Sequence, residues 1–225
     1  MERDHLLAAV DAAFVVTGAD TPPWPDPWPD RDVPDAAYSV VSDPAKWRYA
    51  GARAAAWSAT LVELGLAVRA DADPASLRQR PGIHVDAASW LRPTRPGCEP
   101  LLVRGIEAID GLATCVELGL GDPAEGYLET DCQCDACDWG SASLAEMIDD
   151  AFVDVVLGDV VVLVHGGARA VCRPRQETGF GWTRGQPRHP DFETSSADAA
   201  AVLSGRPVST DYDRIVRSRP WAVNP

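Results

Sequence analysis

Lysine is almost missing from this chain: Lys46 stands alone among 225 residues, and every other basic residue is arginine. Basic residues are scarce altogether, with 20 Lys and Arg against 34 Asp and Glu, so the formal charge is -14. A surface of that sign repels phosphate backbones and anionic headgroups, so neither nucleic acid nor a membrane is expected as a partner. A protein partner remains as the interaction class, and the oligomeric state stays open. Long apolar runs are also lacking; 160-VVVLV-164 is far too short to cross a bilayer. The start, 1-MERDHLLAAVDAAFVVTGAD-20, opens with alternating charges and is broken by Asp11, unlike a signal peptide or a spanning helix. The expected compartment is therefore cytoplasmic, with the six cysteines mostly reduced.

Catalytic signatures are lacking too. There is no G-x-S-x-G elbow, no Walker A loop and no G-x-G-x-x-G fingerprint, and His5, His84, His165 and His189 form no HxxH or HExxH pair. The glycines of 179-GFGWTRG-185 precede no strong helix and make a weak phosphate loop.

What is present is ample apolar material, 46% of the chain, patterned for an α+β fold. A single domain over 1–225 is the simplest reading: mainly antiparallel sheet, a long helix in the N-terminal half, and a second helix after a cysteine cluster. Leu6, Leu7, Val10, Ala13 and Phe14 recur at helical spacing before Gly18. Six prolines in 21–34 forbid helix or inner strand and predict an extended segment pinned to a core face by Trp24 and Trp28. Ser42 is the expected N-cap of a long helix whose stripe is Trp47, Ala50, Ala54, Trp57, Leu61 and Leu64. Small residues at 50, 51 and 54–56 suit close packing by another element.

The span 68–98 is poorly patterned, with a short helix expected near 74–79 and a strand near 83–90. Runs at 101–109 and 112–118 flank 110-DG-111, the signature of a tight hairpin. A further strand at 126–130 leads into the cluster. Helix 143–157 is expected to start at a capping box formed by Ser143 and Glu146. Residues 160–173 read as two strands about 166-GG-167, and 196–205 as a short helix capped by Ser195 or Ser196. Residues 206–225 are expected to form a loosely docked tail.

The cluster itself is 130-TDCQCDACDWGS-141, which places Cys132, Cys134 and Cys137 at C-x-C-x2-C spacing. A C-x2-C pair sets two thiolates on one tight turn, within reach of a tetrahedral Zn²⁺ at about 2.3 Å, and Cys132 supplies a third. Asp138 and Cys172 are the leading candidates for completing the shell, with Asp131, Cys115, Cys98 and His165 behind them. Zinc is favoured over iron–sulfur, which normally takes four cysteines in its own spacings. Two other readings stay open: unliganded thiols, or a thiol oxidoreductase built on the Cys134/Cys137 pair.

Other residues admit both a chemical and a plainer role. His165 and Cys172, across a hairpin, would make a small cysteine/histidine hydrolase; an exposed turn histidine is the favoured reading. Asp150 and Asp154 share a helix face and could hold a cation, although the solvated side of an amphipathic helix is the expectation. Arg169, Arg173, Arg175, Arg184 and Arg188, with Trp182, give residues 169–188 a net charge of +4. They are expected to face an acidic surface of this chain or of a protein partner.

The segments 38-YSVVSDPAKWRYAGARAAAW-57, 125-EGYLETDCQCDACDWG-140 and 144-LAEMIDDAF-152 resemble a family of uncharacterised actinobacterial proteins. The likeness rests on a Tyr-x-x-Val-Ser/Thr-x-Pro start to the long helix and a Cys-x-Cys-Asp-x-Cys-Asp element before an acidic helix. The matching positions are Cys134, Asp135, Cys137 and Asp138, with Cys132 just upstream. The resemblance implies a structural or metal role for them and carries no activity. Together these observations lead to a non-enzymatic protein stapled by a cysteine-bound zinc and acting through protein–protein interaction.

Overall fold

A computed structural model describes residues 2–73, 84–130, 132–173 and 190–222. Its helices are α1 (Arg3–Thr17), α2 (Arg48–Glu63), α3 (Gly140–Leu157) and α4 (Phe192–Leu203). The strands β1 (Ala67–Asp71), β2 (Val85–Pro93), β3 (Leu101–Ile109), β4 (Leu112–Leu120) and β5 (Glu125–Glu129) form one sheet in sequence order. The strands β6 (Val161–His165), β7 (Ala168–Cys172) and β8 (Arg214–Arg217) form a second sheet, ordered β7-β6-β8. Every pairing is antiparallel, so the α+β class expected from the pattern is the class found.

The hairpin at 110-DG-111 forms as its residues require: Asp110 and Gly111 both take positive φ, 50° and 80°, and Ile109 pairs with Leu112. Positive φ at both central positions matches the strand twist, which is why this dipeptide works there. Helix α2 lies against the sheet through small residues. A Cβ on Gly51 would sit 2.5 Å from the Ala113 carbonyl oxygen, so only glycine allows this approach. The main core draws on both sheets and three helices: Leu6 and Val10 of α1, Trp57 and Leu61 of α2, Leu101 and Leu118, Ile148 and Phe152 of α3, Val162 and Val216. Trp57 and Phe152 stack at 5.1 Å with planes 3° apart, joining α2 to α3.

Several expectations change. Ser42 does not cap a helix. Asp43 does, accepting from the Ala45 and Lys46 amides to open a 3₁₀ turn, Pro44–Trp47, that runs into α2. Helix α3 starts at Gly140, so Ser143 is already inside its first turn and no capping box forms. Helix α4 is capped by Asp191, whose carboxylate accepts from the Thr194 amide. The unpatterned span hides β1, exposed along most of its length and therefore without an alternating signal. The expected helix near 74–79 lies outside the described residues.

The tail is not loosely docked through 214–222. Strand β8 pairs with β6 from Val161↔Arg217 to Val164↔Arg214. The Ser218 hydroxyl accepts from the Val160 amide and donates to its carbonyl, and Trp221 is buried in the main core. An extended edge strand with one large apolar anchor suffices to hold a chain end.

The acidic side of α3 is solvated only in part, because Asp149 and Asp154 are buried. The Asp149 carboxylate accepts Arg53 Nε at 2.8 Å, Arg53 Nη2 at 2.6 Å and Trp57 Nε1 at 2.7 Å, and all three residues are buried. Asp154 is buried beside Arg173, with Nε–Oδ2 at 3.3 Å, and Asp150 pairs with Arg3. Asp149 and Asp154 are enclosed because arginines from other elements reach them, an arrangement invisible in local periodicity, while Asp150 and Arg3 stay partly exposed.

Candidate metal centre

Strand β5 delivers the chain to the cysteines along a fixed line. The Thr130 amide donates to the Val116 carbonyl, and the Thr130 hydroxyl accepts from the Val116 amide. Beyond it, Asp135–Cys137 makes a single 3₁₀ turn, with the Cys137 amide donating to the Cys134 carbonyl at 2.9 Å. This turn folds the C-x2-C pair back on itself. The Sγ atoms of Cys132, Cys134 and Cys137 all lie within 4.8 Å of one another, with Cys132 and Cys134 at 3.2 Å. Tetrahedral zinc thiolates at about 2.3 Å from the metal stand about 3.8 Å apart, inside that range. These three sulfurs could hold a metal ion. Cys134 is buried, Cys137 is half-buried and Cys132 is exposed.

The surroundings favour charge on one sulfur. Burial raises the Cys134 thiol, but hydrogen bonds from Cys132 and Cys137 and from the backbone amides of Ser39 and Cys137 outweigh it and bring it down to about 7. Cys137 is pushed up to about 12 by its contacts with Cys132 and Cys134 and by burial. Three thiols this close cannot all ionise without a cation among them.

The proline-rich segment is what shapes the loop. Trp28 Nε1 donates to the Asp135 carbonyl at 2.8 Å. Arg31 donates to the carbonyls of Asp138 and Ala136, each at 3.2 Å, and its guanidinium lies 3.3 Å from the Trp139 ring centroid. The Ser42 amide and hydroxyl donate to the Asp135 carboxylate, and the Asp135 amide donates to the Val40 carbonyl at 2.7 Å. Cys134 packs with Ala37 and Ala136, with Trp28 and Val33 alongside. At the exit from the loop, Gly140 has φ 80°, and a Cβ there would stand 2.6 Å from the Asp26 amide nitrogen.

Of the residues singled out in the sequence, the structure brings together Cys132, Cys134 and Cys137. The Asp138 carboxylate is outside that group and is fully engaged elsewhere. It accepts Trp24 Nε1 at 2.9 Å, the Gly140 amide at 2.8 Å and Lys46 Nζ at 2.7 Å. The single lysine of the chain thus braces the cysteine loop from beneath. Cys172 is not brought to the cluster. It lies on β7 in a separate apolar group with Val161, Leu163 and Ala199, its sulfur against the Ser195 carbonyl. Burial pushes its thiol up to about 11. Cys98 lies near the Pro220 carbonyl, and Cys115 is buried on β4. Asp131 lies outside the described residues.

The Cys172–His165 pair does not form. Val161 pairs with Cys172 and His165 with Ala168, so the two occupy opposite ends of the hairpin. Four strand residues separate them by about 13 Å. His165 Nδ1 instead meets the Asp211 carbonyl at 3.1 Å. Arg173 pairs with Asp154 of this chain, in line with an internal role; Arg175, Trp182, Arg184 and Arg188 lie outside the described residues.

Sequence reasoning missed Arg31, Ser42 and Lys46 as supports of the cysteine loop. The clue available was the pair of tryptophans in a segment too rich in proline to fold alone. No described helix is long and apolar enough to cross a membrane. No curated protein and no solved structure matches the chain. A family model described as a family of unknown function (DUF6226) matches residues 10–225, a span that includes the cysteine loop and all its supports. The chain belongs to this family of unknown function.

Proposed function

We propose that this protein binds one zinc ion through Cys132, Cys134 and Cys137, and that the metal staples residues 24–42 to the loop before α3. The observation that carries this is the convergence of three sulfurs within 4.8 Å on a loop held from outside by Trp28, Arg31 and Ser42. Three thiolates favour zinc over harder cations. The fourth position falls to water or to a donor beyond the described residues. The protein is proposed to work in a reducing compartment, the cytoplasm, where thiolates stay available to metal.

The staple is proposed to display a protein-binding surface. Tyr38, Val40 and Val41, exposed by 56%, 44% and 43%, lie on the segment that hydrogen-bonds the cysteine loop. Three neighbouring apolar side chains left in water favour a partner that covers them.

Metal analysis of protein purified without a histidine tag tests the zinc reading. About one zinc per chain is expected, lost in Cys134→Ser. No metal together with three freely alkylated thiols overturns it. The lowered Cys134 thiol favours a second reading, a thiol oxidoreductase. Rapid alkylation of Cys134 at neutral pH in metal-replete protein would favour it over the staple.

A further inference from the structure

The cysteines of the loop are not equivalent. Cys132 is exposed, Cys137 is half-buried and Cys134 is only 8% exposed. Cys134 packs in an apolar group with Ala37 and Ala136, and Cys137 lies against that group. Cys132 stands outside it, so its sulfur is the one that a small oxidant arriving through water meets first. The other cysteines lie apart: Cys115 and Cys172 are buried, and Cys98 sits beside the Pro220 carbonyl.

Cys132 also faces Cys134 directly, with their Sγ atoms 3.2 Å apart. The residue between them accounts for this. Gln133 Nε2 donates to Thr114 Oγ1 at 2.9 Å, which fixes the Gln133 side chain against β4. Successive side chains of an extended chain alternate, so Cys132 and Cys134 project together to the other side. A disulfide holds its sulfurs about 2.05 Å apart, so closing this pair takes a movement of about 1 Å. The exposed thiol that an oxidant reaches thus has a second thiol already placed to attack it.

We propose that Cys132 and Cys134 form a reversible disulfide when the protein meets a peroxide, with Cys137 left as a thiol. The Cys132 thiolate attacks one peroxide oxygen; the O–O bond breaks, hydroxide leaves and Cys132 becomes a sulfenic acid. The Cys134 thiolate then attacks that sulfur; the S–O bond breaks and a second hydroxide leaves. The cysteine pair loses two electrons and hydrogen peroxide gains them. The hydroxides take up two protons, from the thiols in metal-free protein and from solvent in the zinc form, and leave as water. On the zinc reading above, on which this part rests, the disulfide removes two of the three sulfur ligands, so the metal leaves and residues 24–42 lose their staple. An exposed disulfide is of the labile kind that thiols reduce again, which restores the site.

The test is peptide mapping of the full chain before and after excess hydrogen peroxide, with remaining thiols alkylated and the protein cut on the amino side of aspartate. Asp131, Asp135 and Asp138 put Cys132 and Cys134 on one peptide, 131–134, and Cys137 on another, 135–137. After oxidation, peptide 131–134 should be unalkylated and lighter by two hydrogens, and peptide 135–137 should be alkylated. Zinc caught by a colorimetric chelator should reach about one ion per disulfide, and dithiothreitol followed by zinc should restore about one ion per chain. A disulfide from 131–134 to 135–137 or to another chain overturns the proposal. So do sulfinic acids without a disulfide, or thiols recovered reduced. Zinc retained after the disulfide closes shows that these sulfurs do not hold it, and overturns the release. Metal analysis of the same sample before oxidation keeps the two readings apart. Protein isolated without zinc that still closes Cys132 onto Cys134 sinks the staple and keeps the disulfide. Zinc-loaded protein whose Cys132 and Cys134 stay reduced in peroxide keeps the staple and sinks the disulfide.

Discussion

The indole N–H of Trp24 donates to the Asp138 carboxylate at 2.9 Å across 114 residues of sequence. The same carboxylate takes Lys46 and the first amide of α3, so one buried acid joins the proline-rich segment, the run into α2, and the helix after the cysteines. Asp138 therefore reads as a positioning residue for the cysteine loop. An acid with three donors already on it is poorly placed to ligate a metal as well.

Asp138→Asn tests that reading. It keeps the shape but leaves Lys46, whose side chain is 20% exposed, without a counter-charge. Stability should fall by about 1–3 kcal/mol in urea denaturation, and zinc affinity by about 10–100-fold in a chelator competition. If the variant matches wild type in both, the brace does not act on the cysteine loop.

The Arg53–Asp149 pair should be among the costliest to break. Both partners are buried, and Asp149 also takes the Trp57 indole. Asp149→Ala strands a guanidinium and an indole N–H, and should cost about 3–5 kcal/mol. Asp11, the other partner of Arg53, is 68% exposed, so Asp11→Ala should cost under about 1 kcal/mol. Comparable losses in the two variants would show that the network does not divide in this way.

Asp154 should make stability fall as pH rises. Burial raises its carboxyl to about 6, against the partial relief offered by Arg173. An unfolded aspartate titrates near 3.9, so the folded state holds more protons here between about pH 4 and 6. The contribution is fully present below about pH 4 and is lost through about pH 6, a decline of roughly 1–3 kcal/mol. Denaturation series at several pH values should show wild type losing stability relative to Asp154→Asn across that window. A parallel course for the two proteins would mean the carboxyl is not raised.

Much of the strand and helix content was legible because its signals are local. The Asp110-Gly111 turn, the alternating runs beside it and the stripe Leu144, Ile148, Phe152 and Val155 each declare themselves within a few residues. The helix starts were misread for an equally local reason. Ser42, Asp43, Ser143 and Asp191 are all good cap residues, and only the path of the entering chain decides which is used. Strand β1 was unreadable because it is exposed along most of its length.

The candidate centre divides in the same manner. Cys132, Cys134 and Cys137 were evident from spacing, since a six-residue loop can bring its own sulfurs together. Cys172 was a reasonable fourth candidate by chemistry, but β6–β7 pairing commits it to the face under α4. Arg31, Ser42 and Lys46 carried no mark of their role, because they reach the loop from about 90–110 positions away. The burial of Asp149 and Asp154 is likewise non-local: a carboxylate on a helix reads as solvated until an arginine from another element closes over it. Short-range order, set by turn chemistry and hydrophobic period, belongs to the sequence alone. The choice of which charges are buried and which tryptophans brace the cysteines belongs to the tertiary structure, because those energies depend on partners that only folding brings within about 3 Å.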